Sequence, residues 1–207
     1  MKNKNLGVGL LMALLSLGVM QWIARGHFGD PDGYYHAVMS KLLWEVKLGD
    51  SFPWLTQTSW AEYFANQHFL YHVLLRPFVD LSLLPVSIVL FGSLFVLVFL
   101  LLLKKWKIVW LPFWTALLLF GSTDFLFRIS LVKAVGLSLV LLCLAVWAIT
   151  SKKPWLLIPI SAVFVWVYGG FVFLPAVVFI FVIIEMIFYR TFNWRLCVSL
   201  CLGIVLG

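Results

Sequence analysis

The chain is short of charge. Only 11% of its 207 residues are Asp, Glu, Lys or Arg, against roughly a quarter in soluble domains. Hydrophobic residues make up 64%, and mean hydropathy is +1.08. So few polar groups cannot cover a soluble fold of this size, which makes lipid part of the solvent. Acid is scarcer than base, 8 residues against 15, for a net charge of +7. In a soluble protein that excess would suggest nucleic acid; in so apolar a chain the placement of the charges matters more than their sum, and no nucleic-acid partner is expected. Cysteine is also sparse. Cys143, Cys197 and Cys201 lie inside apolar runs, form no CxxC pair and read as small buried hydrophobes. There is no Gly-rich phosphate loop, no dinucleotide fingerprint and no Ser/His/Asp order. The HExxH metalloprotease pattern is absent too, since Phe69 follows His68.

What the chain has is a series of long apolar runs. Lys2 to Asn5 precede a run from Leu6 to about Ala24. About 19 residues rising 1.5 Å each cover the hydrocarbon core, and no small-x-small cleavage site precedes Arg25, so an uncleaved transmembrane helix is expected. Gly7, Gly9 and Gly18 suit close helix packing. His68 to Phe78 is a half-polar entry into a second span reaching about Leu103, with Pro77 and Pro85 as breaks. Further spans are expected at about Ile108–Phe120, Val132–Ile149, Trp155–Val167 and Phe171–Phe188, with kinks at Pro159 and Pro175 and a join at Gly169-Gly170. A last run from Leu196 is too short to span where the sequence stops. The expected fold is an all-α polytopic transmembrane helix bundle, about six complete spans plus a truncated seventh. It forms a single transmembrane domain over 1–207, reading as the amino-terminal portion of a longer protein. Outer loop 1, long and helical, covers about 25–67, and outer loop 2 about 121–131.

Alternate loops carry Lys2, Lys4, Lys104, Lys105, Lys107, Lys152, Lys153, Arg190 and Arg195, which places them and the N-terminus on the cytoplasmic side. The acids Asp30, Asp32, Glu45, Asp50, Glu62, Asp80 and Asp124 fall on the other side, leaving Glu185 as the exception. The outer face is therefore acidic, aromatic and histidine-containing.

The densest polar chemistry is Gly29-Asp30-Pro31-Asp32-Gly33-Tyr34-Tyr35-His36. Asp30-x-Asp32 offers the carboxylate oxygens that hard cations such as Mg²⁺ and Mn²⁺ prefer. The plainer reading is a capping turn, with Asp32 as N-cap of a helix from Gly33 to Lys47. His68 and His72, four apart, share a helical face, either in the same pocket as Asp30 or as ordinary interface residues. Asp124 and Arg128 have the spacing of a local ion pair. Alternatively, Asp124 adds a third metal carboxylate and Arg128 holds a phosphate through its bidentate fork. Lys133 could reach an anionic head group or simply snorkel.

Asp30-Pro31-Asp32-Gly33-Tyr34-Tyr35-His36-Ala37, immediately after the first span, resembles the first outer loop of the GT-C superfamily of membrane glycosyltransferases, among them the bacterial and archaeal oligosaccharyltransferases. Asn66-Gln67-His68-Phe69-Leu70-Tyr71-His72 looks like the re-entry into the second span, and Gly121-Ser122-Thr123-Asp124 takes the place of a second acidic motif. The second loop has one carboxylate where that family usually has two, and the soluble carboxy-terminal domain of oligosaccharyltransferases is not in this sequence. The resemblance implies sugar transfer from a polyprenyl-phosphate-linked donor on the outer face of the plasma (inner) membrane, to an acceptor the sequence does not specify. It implies Asp30 and Asp32 as catalytic residues, a divalent cation (Mg or Mn) on Asp30, Asp32 and Asp124, Arg128 on the donor phosphate, and Tyr35, His36, His68 and His72 lining the substrate cleft. The rival reading is a transporter, a flippase or a non-catalytic membrane scaffold; transporters more often keep ionisable residues inside their spans.

Overall fold

A computed structural model describes residues 2–24, 29–45, 52, 56–80 and 83–207. The described residues are helical, with no strand among them. The helices are α1 (Lys2–Ala24), α2 (Asp32–Glu45), α3 (Phe69–Leu75), α4 (Leu84–Lys105), α5 (Leu111–Phe120), α6 (Thr123–Ile129), α7 (Val135–Thr150), α8 (Leu157–Val167), α9 (Phe173–Tyr189) and α10 (Trp194–Leu206). Single 3₁₀ turns lie at Ser59–Ala61, Arg76–Phe78 and Pro154–Leu156.

Two helices, over Lys4–Ala24 and Leu84–Lys105, are long and apolar enough to cross a membrane. The other apolar helices have 10–17 residues, short of the roughly 20 that a full crossing takes. The shortening has local causes. Ile108–Trp110 is apolar but not helical, because Trp110 sits in the left-handed region at φ 62° and Pro112 opens α5. Pro77 lies in the 3₁₀ turn that separates α3 from α4. Pro159 and Pro175, expected to kink their helices, instead stand third in α8 and α9, where a missing N–H breaks no intrahelical bond.

α1 packs on α4 and α5, and α4 on α7. Ala13, Leu17, Val96, Leu100 and Leu119 are fully buried where these helices meet. Leu11, Leu15 and Ile23 on the rest of α1 stand exposed, as do Phe179, Ile187 and Phe188 on α9. Only 17% of the apolar window of α1 is buried, so most of its apolar surface is left uncovered by the rest of the chain. A side chain at Gly9 would meet Thr115 Oγ1 at 2.8 Å and Leu100 at 2.9 Å, whereas Gly7 and Gly18 face open space. Of these three glycines, Gly9 alone serves the close packing expected of them. At Gly136 a Cβ would press on the Phe91 carbonyl group at 3.1–3.2 Å, so α4 and α7 approach backbone to backbone.

A second core joins α7, α8, α9 and α10 around Phe164, Leu174 and Leu196. A third, around Tyr71, Leu75 and Leu84, seats α3 against α4 and α8. The ends of α7 differ in chemistry. At its C-terminus Lys105 Nζ donates to the Trp147 carbonyl and to Thr150 Oγ1, both at 3.3 Å, and to Ser151. Lys105 and Lys153 stand over the Trp147 ring at 5.4 and 5.6 Å. Basic residues from two loops, both assigned by sequence to one side, therefore meet at one level. Lys133 lies just before the N-terminal end of α7, about 24 Å away along a helix of 16 residues, and there it meets the acids.

Candidate functional site

Residues 29–31 bring the chain into α2. Gly29 packs so closely that a Cβ would meet Leu131 at 2.7 Å and Phe127 at 3.2 Å, so this turn is clamped against α6 and the residues following it. Asp30 Oδ1 accepts from the Gly33 N–H at 3.3 Å. The capping carboxylate is thus Asp30 rather than Asp32, which is the first helical residue. Of the expected helix to Lys47, the structure shows Asp32–Glu45, and residues 46 and 47 lie outside the described residues.

The two carboxylates converge, on a lysine. Lys133 Nζ lies 2.7 Å from Asp30 Oδ2 and 2.7 Å from Asp32 Oδ2. The hydrogen bond from Lys133, opposed by partial burial and helped by the lysine's charge, holds Asp32 below the usual carboxylate range. Burial works against the Lys133 ammonium, but its bonds to Asp30 and Asp32 outweigh that and raise its pKa. Both groups are fixed in their charged forms.

Next to this triad stand three imidazoles. His36, on α2, and His72, on α3, are 4% and 0% exposed. Their Nδ1 and Nε2 atoms are 2.8 Å apart, and His72 Nδ1 lies 3.0 Å from Asn66 Oδ1. His68 Nδ1 lies 3.3 Å from the Val167 carbonyl oxygen. The His36 ring stands edge-on to His68 and Tyr71, each at 5.1 Å. Burial, reinforced by the neighbouring His68, lowers the pKa of His36 to about 4; burial with His36 and His68 lowers that of His72 to about 3. His68 is lowered by burial, offset in part by its bond to the Val167 carbonyl. Burial raises the Tyr71 phenol, and burial together with the Asp32 charge raises Tyr35. At neutral pH the histidines are uncharged.

Asp32, Tyr35, His36, Trp60 and His68, with Ala65 and Gln67, line a cavity of about 200 Å³. Trp60, on the cavity wall, lies 5.4 Å from the Phe64 ring, which in turn packs 5.1 Å from Phe52, so an aromatic cluster adjoins that wall. Ala65 and Gln67 also line a larger groove of about 500 Å³, whose walls include Phe69, Val165, Trp166 and Phe171. A small polar chamber and a larger, mostly apolar trough share a boundary.

Of the residues singled out from sequence, Asp30, Asp32, Tyr35, His36, His68 and His72 are brought together. Asp124 and Arg128 are not. Both are exposed on α6, where Ser122 caps the helix by accepting from the Phe125 N–H, and it is Phe127 and Leu131 that face Gly29. The expected cation set of Asp30, Asp32 and Asp124 is therefore not assembled: Lys133 takes up the first two carboxylates, and no group of three or more His, Cys, Asp or Glu side chains among the described residues is arranged to hold a metal. Sequence reasoning missed Lys133 as the carboxylates' partner and Asn66 as the histidines' anchor. The signal for Asn66 was its place in the run Asn66 to His72, two and six residues from the histidines it contacts. Set against known protein families, curated proteins and solved structures, the chain matches none of them.

Proposed function

We propose that this chain is a GT-C-like integral membrane glycosyltransferase taking its sugar from a polyprenyl-phosphate-linked donor on the outer face of the plasma membrane, with the shorter apolar helices completing a bundle around α1 and α4. The observation that carries the reading is the shared boundary between polar chamber and apolar groove. A lipid-linked sugar has that same division, a hydroxyl-rich head joined through phosphate to a hydrocarbon tail. The acidic and histidine-rich end of α7, opposite its lysine-bearing end, supports the placement on the outer face.

In this reading the acceptor hydroxyl oxygen bonds to the anomeric carbon, the bond from that carbon to the phosphate oxygen breaks, and its electron pair leaves on the phosphate. Asp32, kept ionised by Lys133, faces the positive charge that develops on the sugar ring. Asp30 holds the turn and Lys133, and Tyr35, His36 and His68 contact the sugar or its acceptor. No step is assigned to a divalent cation, because the described donors do not form a site for one. Asp124 and Arg128 stand outside the chamber and take no role in it.

The test uses the full chain in nanodiscs with a radiolabelled polyprenyl-phosphate hexose, following release of polyprenyl phosphate. Asp32→Asn should cut release at least 100-fold, with Asp124→Asn within about twofold of the parent, on the scale of removing a charge that acts in the transition state. Undiminished release from Asp32→Asn would remove Asp32 from the mechanism. Movement of the intact lipid across the bilayer without release would favour a flippase.

A further inference from the structure

The hydrogen bonds around Asn66 determine more than its own position. Asn66 Oδ1 accepts from the backbone N–H of His68 at 3.1 Å. That N–H can only donate, so the amide must present its oxygen there, and turning it over would set donor against donor. The amide nitrogen Nδ2 meanwhile is buried without a partner. The side chain is thus held by its oxygen alone.

The same oxygen lies 3.0 Å from His72 Nδ1. An amide oxygen cannot donate, so His72 carries its proton on Nδ1. Being neutral, it has a bare Nε2, which must accept from His36 Nδ1 at 2.8 Å. His36 is therefore also protonated on Nδ1 and bare on Nε2. The Nδ1 edge of His36 is spent on His72, so Nε2 is the nitrogen it has left for the chamber it lines. His68 follows the same rule separately, since its Nδ1 faces the Val167 carbonyl, which only accepts.

We infer that Asn66 is a positioning residue that fixes the tautomers of His72 and, through it, of His36, so that His36 presents an unprotonated Nε2 to a hydroxyl-bearing substrate in the chamber. Asn66 does not itself line that chamber; it acts through two imidazoles. The role given to His36 rests on the proposed transferase reading: Nε2 takes the proton of the acceptor hydroxyl as the new glycosidic bond forms, and passes it to water when the product leaves. The tautomers themselves do not depend on that reading. They also give the chamber its preference. The bare Nε2 of His36, that of His68 and the ionised Asp32 are acceptors, while Tyr35, Trp60 and Gln67 on the same lining can donate, so the chamber suits sugar or polyol hydroxyls, which both donate and accept.

The experiment is long-range ¹H–¹⁵N correlation on histidine-labelled full chain in nanodiscs at pH 7, with signals assigned by His36→Gln and His72→Gln. The expected result is Nδ1–H and bare Nε2 at both positions, opposite to the tautomer that predominates for histidine in water. Asn66→Ala removes the fixed acceptor, lets His72 turn its proton to Nε2 and pushes the His36 proton to Nε2 as well. Asn66→Asp keeps an acceptor and keeps both tautomers. Sugar release should fall at least tenfold in Asn66→Ala and recover in Asn66→Asp. A parent His36 protonated on Nε2 overturns the inference, as does an unchanged His36 in Asn66→Ala. If Asn66→Ala does not fold, the parent spectrum decides alone. Expected tautomers with no sugar release would leave the relay standing and defeat the transferase reading.

Discussion

Replacing Lys133 with methionine keeps the aliphatic stem and removes the charge that two carboxylates share. The two ion pairs are equal in length but not in setting. The Asp30 side chain is 20% exposed and that of Lys133 28%, whereas the Asp32 side chain is 59% exposed. Solvent screens the Asp32 pair down to the surface range of about 0.5 kcal/mol. The Asp30 pair, partly desolvated and charge-assisted, belongs nearer the 1.5–2 kcal/mol of a hydrogen bond to an ionised group. Lys133→Met should therefore cost about 2 kcal/mol, less than the 3–5 kcal/mol of breaking a fully buried pair. Double-mutant cycles in bicelles, read by steric trapping or by denaturation in SDS, would separate the pairs: a coupling of about 1.5 kcal/mol with Asp30→Asn and about 0.5 kcal/mol with Asp32→Asn. The pH dependence has a defined window. Asp32, depressed in the fold, contributes stability above its unfolded value of about 4 and loses it as pH falls through the lower folded value. Lys133, raised in the fold, contributes below its unfolded value of about 10.4 and loses it as pH rises through the higher folded one. The ion-pair contribution should be flat between about pH 4 and pH 10. Coupling equal at the two acids, or greater at Asp32, would show that exposure does not rank the pairs and would refute the argument.

Two more predictions follow from the buried residues. His36 and His72, whose folded pKa values near 4 and 3 lie below the unfolded 6.5, contribute stability above pH 6.5 and lose it as pH falls from 6.5 toward 4, so the chain should destabilise by a few kcal/mol over that range; His72→Gln should flatten the slope, and a slope unchanged in that variant would assign it elsewhere. Leu17, fully buried with its Cδ1 only 2.6 Å from where a side chain on Gly92 would begin, loses packing in Leu17→Ala without the water-transfer term if the unfolded reference lies in lipid, so the cost in bicelles should be about 1–2 kcal/mol rather than the 2–5 kcal/mol of a soluble core; a cost above about 3 kcal/mol would argue against lipid around α1.

The long apolar helices were legible because their signal is local. Sequence placed a run from Leu6 to about Ala24 and an end near Leu103, and the helices are Lys2–Ala24 and Leu84–Lys105. Less was legible where one residue's backbone decides, as at Trp110, whose left-handed φ delays α5 although nothing in Ile108–Trp110 looks unhelical. Sequence put Asp30, Asp32, His36, His68 and His72 on one side of the chain but left open whether the histidines share the pocket of Asp30; their meeting is seen only in the fold. What filled the gap between the acids did not. Lys133 lies 101 residues beyond Asp32 in sequence, and a lone lysine beside an apolar run reads as a snorkelling side chain until the fold closes. Asp124 shows the converse. Spacing made it attractive, but α6 leaves Asp124 exposed and turns Phe127 toward Gly29, with Leu131 just beyond the helix closing on the same glycine.

The short reach of α7 carries a consequence for the bilayer. About 24 Å of helix separates the lysines around Trp147 from Lys133, while an unperturbed hydrocarbon layer is about 30 Å thick. Because α7 is locked to α4 at Gly136 without a side chain between the backbones, it cannot lengthen or slide to make up the difference. Yet no residue of α7 before Thr150 is exposed, so packed protein rather than lipid surrounds it. In the membrane setting proposed for this chain, the height of the chamber above the lysines around Trp147 is then set by the packed helices and does not follow the thickness of the bilayer.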